Sequence, residues 1–224
     1  MTSTRPDTVA QSAAADHAQT FIDWTRVNAK LLTTAAVVVV VAAAGYWFYL
    51  RSTQIQAANA ERALMTAKQS MSAGNMPLAQ KDLQNVYSKY GSTAAGIQAA
   101  MLLAQIDYDT GKYQDGITIL DKLAGSSAAS GNEATIKSLT GDGYSQMRKF
   151  AEAGKAYEDA AQSTSFETEK AFLVAKAARV YEAGGNTAKS KELWTRLLND
   201  PSGQTMASEA RVRLGELTAV PVKR

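Results

Sequence analysis

The chain contains no cysteine. That excludes a disulfide framework, thiolate metal sites and a cysteine nucleophile together. It has one histidine, His17, in a polar N-terminal stretch that offers no scaffold to orient a general base. No glycine-rich phosphate loop precedes a Lys-Ser or Lys-Thr pair. The acidic pairs Asp107/Asp109 and Glu158/Asp159 lack the spacing to share one helix face, and no histidine is near enough to complete a metal site. Asp107/Asp109 read as a helix end and Glu158/Asp159 as a solvated face. Neither an enzyme nor a cofactor or metal site is expected, and no small-molecule substrate. Long runs of one charge are missing too. The 24 basic and 21 acidic residues are interspersed, so the pI near 9.0 is a small excess rather than a basic face for nucleic acid. No nucleic-acid partner is expected.

What the sequence does contain is one long apolar run, LLTTAAVVVVVAAAGYWFYL, over 31–50. Twenty helical residues span about 30 Å, the thickness of a bilayer's hydrocarbon core. Lys30 and Arg51 bracket the run. Tyr46, Trp47, Phe48 and Tyr49 form an interfacial belt at one end, and Trp24 serves the other. The β-branched run Val37–Val41 suits lipid better than a soluble surface. A cleaved signal is the competing reading, because Ala42-Ala43-Ala44 resembles a cleavage site. Against it, the leading segment is long and carries Asp7, Asp16 and Asp23, and cleavage would leave an exposed aromatic terminus. The run is therefore expected to be a permanent transmembrane helix in a lipid bilayer. Basic residues flank it on both sides, so charge alone does not orient it. Ala35, Ala36, Ala42 and Ala43 form a candidate small-residue packing seam.

The remainder of the chain repeats itself. Ala79, Gly116, Ala153 and Ser190 lie 37 residues apart and are all small. Four residues later come the large Leu83, Leu120, Tyr157 and Trp194, and three beyond those Val86, Leu123, Ala160 and Leu197. In the preceding helix Ala67, Ala104, Gly141 and Ala178 keep the period, and one further step lands on Gly215. On this register TGDG at 140–143 is a packing position, not a ligand loop. Small residues let paired helices approach, and the large residue fills the space toward the next pair. This is the tetratricopeptide pattern, whose usual period is about 34. The extra residues fall in the loops GSTA, GSSAASGN, QSTS and DPSGQ. The fold expected is all-α: one N-terminal transmembrane helix, then a tetratricopeptide-like α-solenoid of about four helix pairs and a capping helix near 205–217. The domain boundaries read as a tail with a short amphipathic lead-in over 1–30, the membrane helix over 31–50, the solenoid over 51–219 and a tail over 220–224. With no glycine or proline between Gly45 and Gly74, the membrane helix is expected to run on into the first repeat.

Binding is then the remaining function class, with other proteins as partners. In such solenoids the first helix of each pair lines a concave groove. The register puts Leu64, Lys68, Met71, Met101, Gln105, Tyr108, Asp142, Phe172, Arg179 and Glu182 there, with Ser138 and Ser145. The charges are mixed, and the apolar members offer an adaptable surface.

The lead-in FIDWTRVNAKLL (21–32), the aromatic exit GYWFYLRSTQ and the repeats together resemble the ancillary single-pass subunit family of the bacterial Sec translocon. The resemblance runs from about Ala18 to Thr218. It implies a bacterial inner-membrane protein with a cytoplasmic N-terminus. The solenoid would be periplasmic and contact the translocon or folding factors. The long Ala/Ser-rich tail and the basic balance depart from that family's pattern. Two functions stay open on the residues: a chaperone-like or scaffold module at a membrane protein complex, and a permanent structural subunit of a respiratory or photosynthetic assembly held by its transmembrane helix.

Overall fold

The computed structural model describes Trp24 and residues 27–219, with the side chains of 201–203 left out. The N-terminal tail, His17, most of the lead-in and residues 220–224 lie outside the described residues. Among the described residues there are nine α-helices and no strand: α1 Ala29–Ser72, α2 Met76–Tyr90, α3 Ala94–Asp109, α4 Tyr113–Ala124, α5 Glu133–Gln146, α6 Phe150–Ser163, α7 Glu167–Ala183, α8 Thr187–Asn199 and α9 Ala207–Thr218. Short 3-10 turns at Ser127–Ala129 and Pro201–Met206 occupy the two longest connections. The chain divides into two compact units between Ile55 and Gln56. Helix α1 is continuous, with 29–55 in the first unit and 56–72 in the second.

The first unit holds the apolar part of α1, which is long and apolar enough, by length and composition, to cross a membrane. Val37–Val41, Tyr46, Trp47, Phe48 and Tyr49 all point outward, and so do Ala35, Ala36, Ala42 and Ala43. The polar groups inside this stretch are satisfied within the helix. Thr33 and Thr34 donate their hydroxyls to the carbonyls of Ala29 and Lys30 at 2.7 and 2.8 Å. Such internal satisfaction is what lipid demands of a polar side chain.

The second unit is four helix pairs and a cap: α1(56–72)/α2, α3/α4, α5/α6, α7/α8 and α9. The 37-residue period appears directly in the backbone. Gly74, Gly111, Arg148 and Gly185 end the first helix of each pair at φ of 75, 78, 58 and 78°. In each case the left-handed residue's N–H bonds to the carbonyl three residues back, and the next N–H reaches five residues back. The pairs are Gly74 to Met71 and Asn75 to Ser70, Gly111 to Tyr108 and Lys112 to Asp107, Arg148 to Ser145 and Lys149 to Tyr144, and Gly185 to Glu182 and Asn186 to Tyr181. These bonds satisfy carbonyls that a helix end leaves unpaired. Three of the four turns use glycine, where the left-handed region costs nothing; the third uses arginine.

The small and large positions pack as the register requires. Ala79, Gly116, Ala153 and Ser190 are buried, and so are Leu83, Leu120, Tyr157 and Trp194. Gly141 departs from the alanines at its equivalents because a Cβ there would lie 2.7 Å from the Tyr157 ring. The ring fills the volume that a methyl group takes in the other repeats. Ser190 departs in the opposite sense. Its hydroxyl is fully buried and has no hydrogen-bond partner. An unsatisfied buried hydroxyl costs about 1–3 kcal/mol. Ser190→Ala is therefore expected to stabilise the solenoid by about 1 kcal/mol, read as a higher urea or thermal unfolding midpoint.

The end helices carry smaller or more polar residues at these positions than the interior ones, as a stack of repeats needs, while Met65 and Val212 stay exposed on them. Ala95, Ala99, Leu103 and Ile106 of α3 are buried against the first repeat. One period earlier, Ala58, Arg62, Thr66 and Gln69 of α1 are exposed. Ala171, Val174 and Ala178 of α7 are buried, whereas Ser208, Arg211 and Gly215 of α9 are exposed.

Candidate functional site: the inner groove

The candidate surface of the second unit is the face formed by α1(56–72), α3, α5, α7 and α9. Contacts between consecutive first helices fix which side chains share it. Lys68 donates to Gln98 Oε1 at 3.1 Å, and Lys176 bonds Asp142 at 2.6 Å and Ser138 at 3.3 Å. Arg179 grips Glu209 with a two-pronged fork at 2.6 and 2.5 Å, and Arg213 stands 3.7 Å from Glu182.

The candidate residues divide into three groups on this frame. Lys68, Gln105 and Phe172 are exposed on the groove, and Phe172 retains 47% of its surface. Met71, Met101 and Tyr108 are half-buried and pack against the cores of the first two repeats. Leu64 is a correction. It is fully buried with Leu83 and Leu103 and contributes to the core, not to the groove. In the first repeat, leucine at this register position turns under the helix, whereas Met101 and Ser138 stay half-exposed.

Asp142, Arg179 and Glu182 are placed in the groove but are already engaged by neighbouring helices. Asp142 accepts from the Tyr157 hydroxyl at 2.5 Å as well as from Lys176. Burial, and then the bond to Asp142, push the Tyr157 phenol well above its usual range. Burial does the same to Tyr108, with Asp142 adding to it. The Arg179 fork lowers the Glu209 carboxyl and raises its own guanidinium. A cavity of about 280 Å³ lies beside this network, lined by Ser145, Tyr157, Lys176, Arg179, Val180 and Ala183.

Two acidic residues behave differently from expectation. Glu158 is half-buried rather than solvated, accepting from the Tyr181 hydroxyl at 2.9 Å and pairing with Lys189 at 3.4 Å. It ties the third repeat to the fourth. Asp107 does lie near the end of α3, yet it is buried and accepts from Gln80 at 2.9 Å. Burial pushes its carboxyl above the usual carboxylate range, and Lys112 opposes the shift. The folded state thus holds this proton more tightly than the unfolded chain does. Its cost to stability is absent at low pH and grows as pH rises through the folded-state pKa. Asp107→Asn is expected to raise the melting temperature by a few degrees at pH 7 and to leave it unchanged near pH 3, checked by thermal melts at both. Among the described residues no group of three or more acidic, histidine or cysteine side chains is arranged to hold a metal.

The profile of the tetratricopeptide repeat-like domain family matches the chain over residues 23–118 and 60–181, and the chain belongs to that family. No curated protein sequence matches it. Among solved structures, it is similar to the TPR-like repeats of a Podosopora anserina kinesin light chain, at 13% identity and a TM-score of 0.51 over 71% of this chain and 97% of that one. It is also similar to BtubC (BKLC) of P. vanneervenii, at 18% identity and a TM-score of 0.53 over 73% of this chain and 82% of that one. These likenesses establish the solenoid fold. Tetratricopeptide-like solenoids are, as a class, protein–protein interaction scaffolds whose stacked repeats build extended concave binding surfaces.

Proposed function

We propose that the chain is a single-pass membrane protein whose solenoid holds partner proteins at a membrane complex. The observation that carries this reading is the pairing of two features in one chain. One is an apolar stretch of α1 in which no side chain is buried; the other is a tetratricopeptide-like solenoid with Lys68, Gln105 and Phe172 exposed on its inner face. On this reading 31–50 spans the bilayer, Tyr46, Trp47, Tyr49 and Trp24 sit at its interfaces, and 51–219 forms the interaction domain. The resemblance to the ancillary translocon subunit family supports a bacterial inner membrane, a cytoplasmic N-terminus, a periplasmic solenoid and the Sec translocon as the complex.

A second reading draws on a different observation. Asp142, Arg179 and Glu182 are consumed by internal pairs, which leaves the groove fewer charged handles than a dedicated peptide clamp has. That favours a permanent structural subunit held through the transmembrane face, with Ala35, Ala36, Ala42 and Ala43 against a neighbouring helix. Purification of the native complex in mild detergent, with the co-purifying chains identified and counted, separates the two. Sec subunits or periplasmic folding factors in substoichiometric amounts are the expected result. Stoichiometric recovery with one energy-converting complex selects the second reading. Recovery of this chain alone overturns both.

A further inference from the structure

We propose that the chain pairs with a second copy of itself through the exposed face of α1(56–72), as a parallel two-fold dimer in which Glu61 of each copy meets Arg62 of the other. This goes beyond the partner-holding reading and rests only on its single-pass anchor. The face is the vacant counterpart of a packing surface that the later repeats use. Ala99, Ile136, Leu173 and Ala210 stand at one register position in the four later first helices, and all four are buried. The same position in α1 is Arg62, and it is exposed. Ala58, Met65 and Gln69 flank it on the same face and are exposed too. Met65 keeps 74% of its surface, more than any other large apolar side chain among the described residues of the second unit. A shallow cavity of about 480 Å³ lies on this face, beside Ala58, Glu61, Arg62 and Met65.

The charges select a second copy as the occupant. No side-chain bond or ion pair joins Glu61 or Arg62 to another described residue of the chain. Ala58, Arg62, Met65 and Gln69 follow each other at spacings of four, three and four, the seam spacing of a two-stranded coiled coil. Glu61 stands beside that seam, next to Arg62. A two-fold axis along the helices therefore brings Glu61 to Arg62 twice over and sets Met65 against Met65. Such a contact is self-complementary and closes at two copies. A covering surface without a carboxylate would leave Arg62 desolvated and unpaired, which is costly. The seam is too short to hold two soluble chains together by itself. Confinement of both copies to one bilayer raises their effective concentration and keeps the two helices parallel.

The chain has no cysteine, so one introduced thiol reports on one position. Met65→Cys probes the seam, and Thr195→Cys, on an exposed position of α8, is the reference. The full chain is oxidised with copper phenanthroline in isolated membranes, and the disulfide-linked dimer is quantified. A disulfide needs the two Cα atoms within about 7 Å, so Met65→Cys is expected to cross-link at least about tenfold more than Thr195→Cys. Adding Glu61→Arg or Arg62→Glu to Met65→Cys sets like charges against each other and is expected to cut the yield about tenfold. Co-expressing those two variants puts opposite charges across the seam again and is expected to restore the cross-link, which a loss of fold could not do. Equal yields at 65 and 195, indifference to the charge reversals, failure of the co-expressed pair, or an adduct of Met65→Cys with a different protein each overturn the proposal. Alkaline carbonate extraction keeps the two readings apart. Release of the chain from the membrane sinks the single-pass reading, whereas retention with no excess cross-link at 65 sinks the dimer alone.

Discussion

Trp194→Ala is expected to remove about 4 kcal/mol of stability and to melt the C-terminal end of the solenoid first. Trp194 is the largest fully buried side chain, and it packs in the core shared by the third and fourth repeats and the cap. Truncation leaves a cavity that the surrounding helices fill only in part, and the cost grows with the residual volume. Repeats contact only their neighbours, so the loss stays local. Amide exchange is the discriminating measurement. Protection should fall across α7, α8 and α9 and persist in α2 and α3. A uniform loss through all four repeats would mean that the solenoid melts as one cooperative block.

Trp194→Phe should cost far less, and the comparison isolates a second effect. The indole N–H is buried without an acceptor. One repeat earlier, the equivalent Tyr157 donates to Asp142. The residue one period after Asp142 is Arg179, a cation that cannot accept. It sits instead 5.9 Å from the Trp194 ring, a cation–π arrangement. Phenylalanine keeps the ring and deletes the orphan donor, so relief of desolvation offsets part of the lost volume.

Both the legibility and its limits follow from what the period encodes. Ala79, Leu83 and their equivalents pack within a pair and against the next pair, so their chemistry repeats every 37 residues and shows in the sequence. The groove pairs do not. Lys68 meets Gln98 and Arg179 meets Glu209 at 30 residues, but Asp142 meets Lys176 at 34 and Ser138 meets it at 38, so these pairs follow side-chain reach and not the repeat. Asp142, Arg179 and Glu182 consequently looked available in a register built on 37 and are engaged in the structure. Leu64 was misplaced for a related reason. At this register position Leu64 and Ala175 are buried while Met101 and Ser138 stay half-exposed, so the period alone does not decide exposure there. The third turn, in MRKFAEA, is legible from the period although Arg148 stands where the other three turns carry glycine.

That third turn yields the second large effect. Arg148→Gly combined with Lys149→Asn is expected to stabilise the protein by about 2 kcal/mol. Arg148 holds φ at 58°, a region that costs a residue with a Cβ about 1 kcal/mol or more. Lys149 follows as the N-cap of α6 without a side-chain bond to the helix. The first and fourth turns carry Gly-Asn at these two positions. There Asn75 and Asn186 accept from the N–H groups of Leu78 and Lys189 at 3.3 and 3.1 Å. The backbone at Lys149 already matches theirs, with φ −83° and ψ 69° against −84° and 69° at Asn75. The asparagine therefore needs no rearrangement to reach the same bond. Each substitution should contribute about 1 kcal/mol, additively, because one acts on backbone strain and the other on an uncapped helix end. Arg148 and Lys149 also stand 5.9 Å from the rings of Phe150 and Tyr144 respectively. Those exposed cation–π contacts are worth about 0.5–1 kcal/mol at most and set the lower bound on the gain. Urea unfolding of the two single variants and the double variant measures it. A double variant no more stable than the parent would show that the cation–π contacts outweigh the strain and the missing cap together.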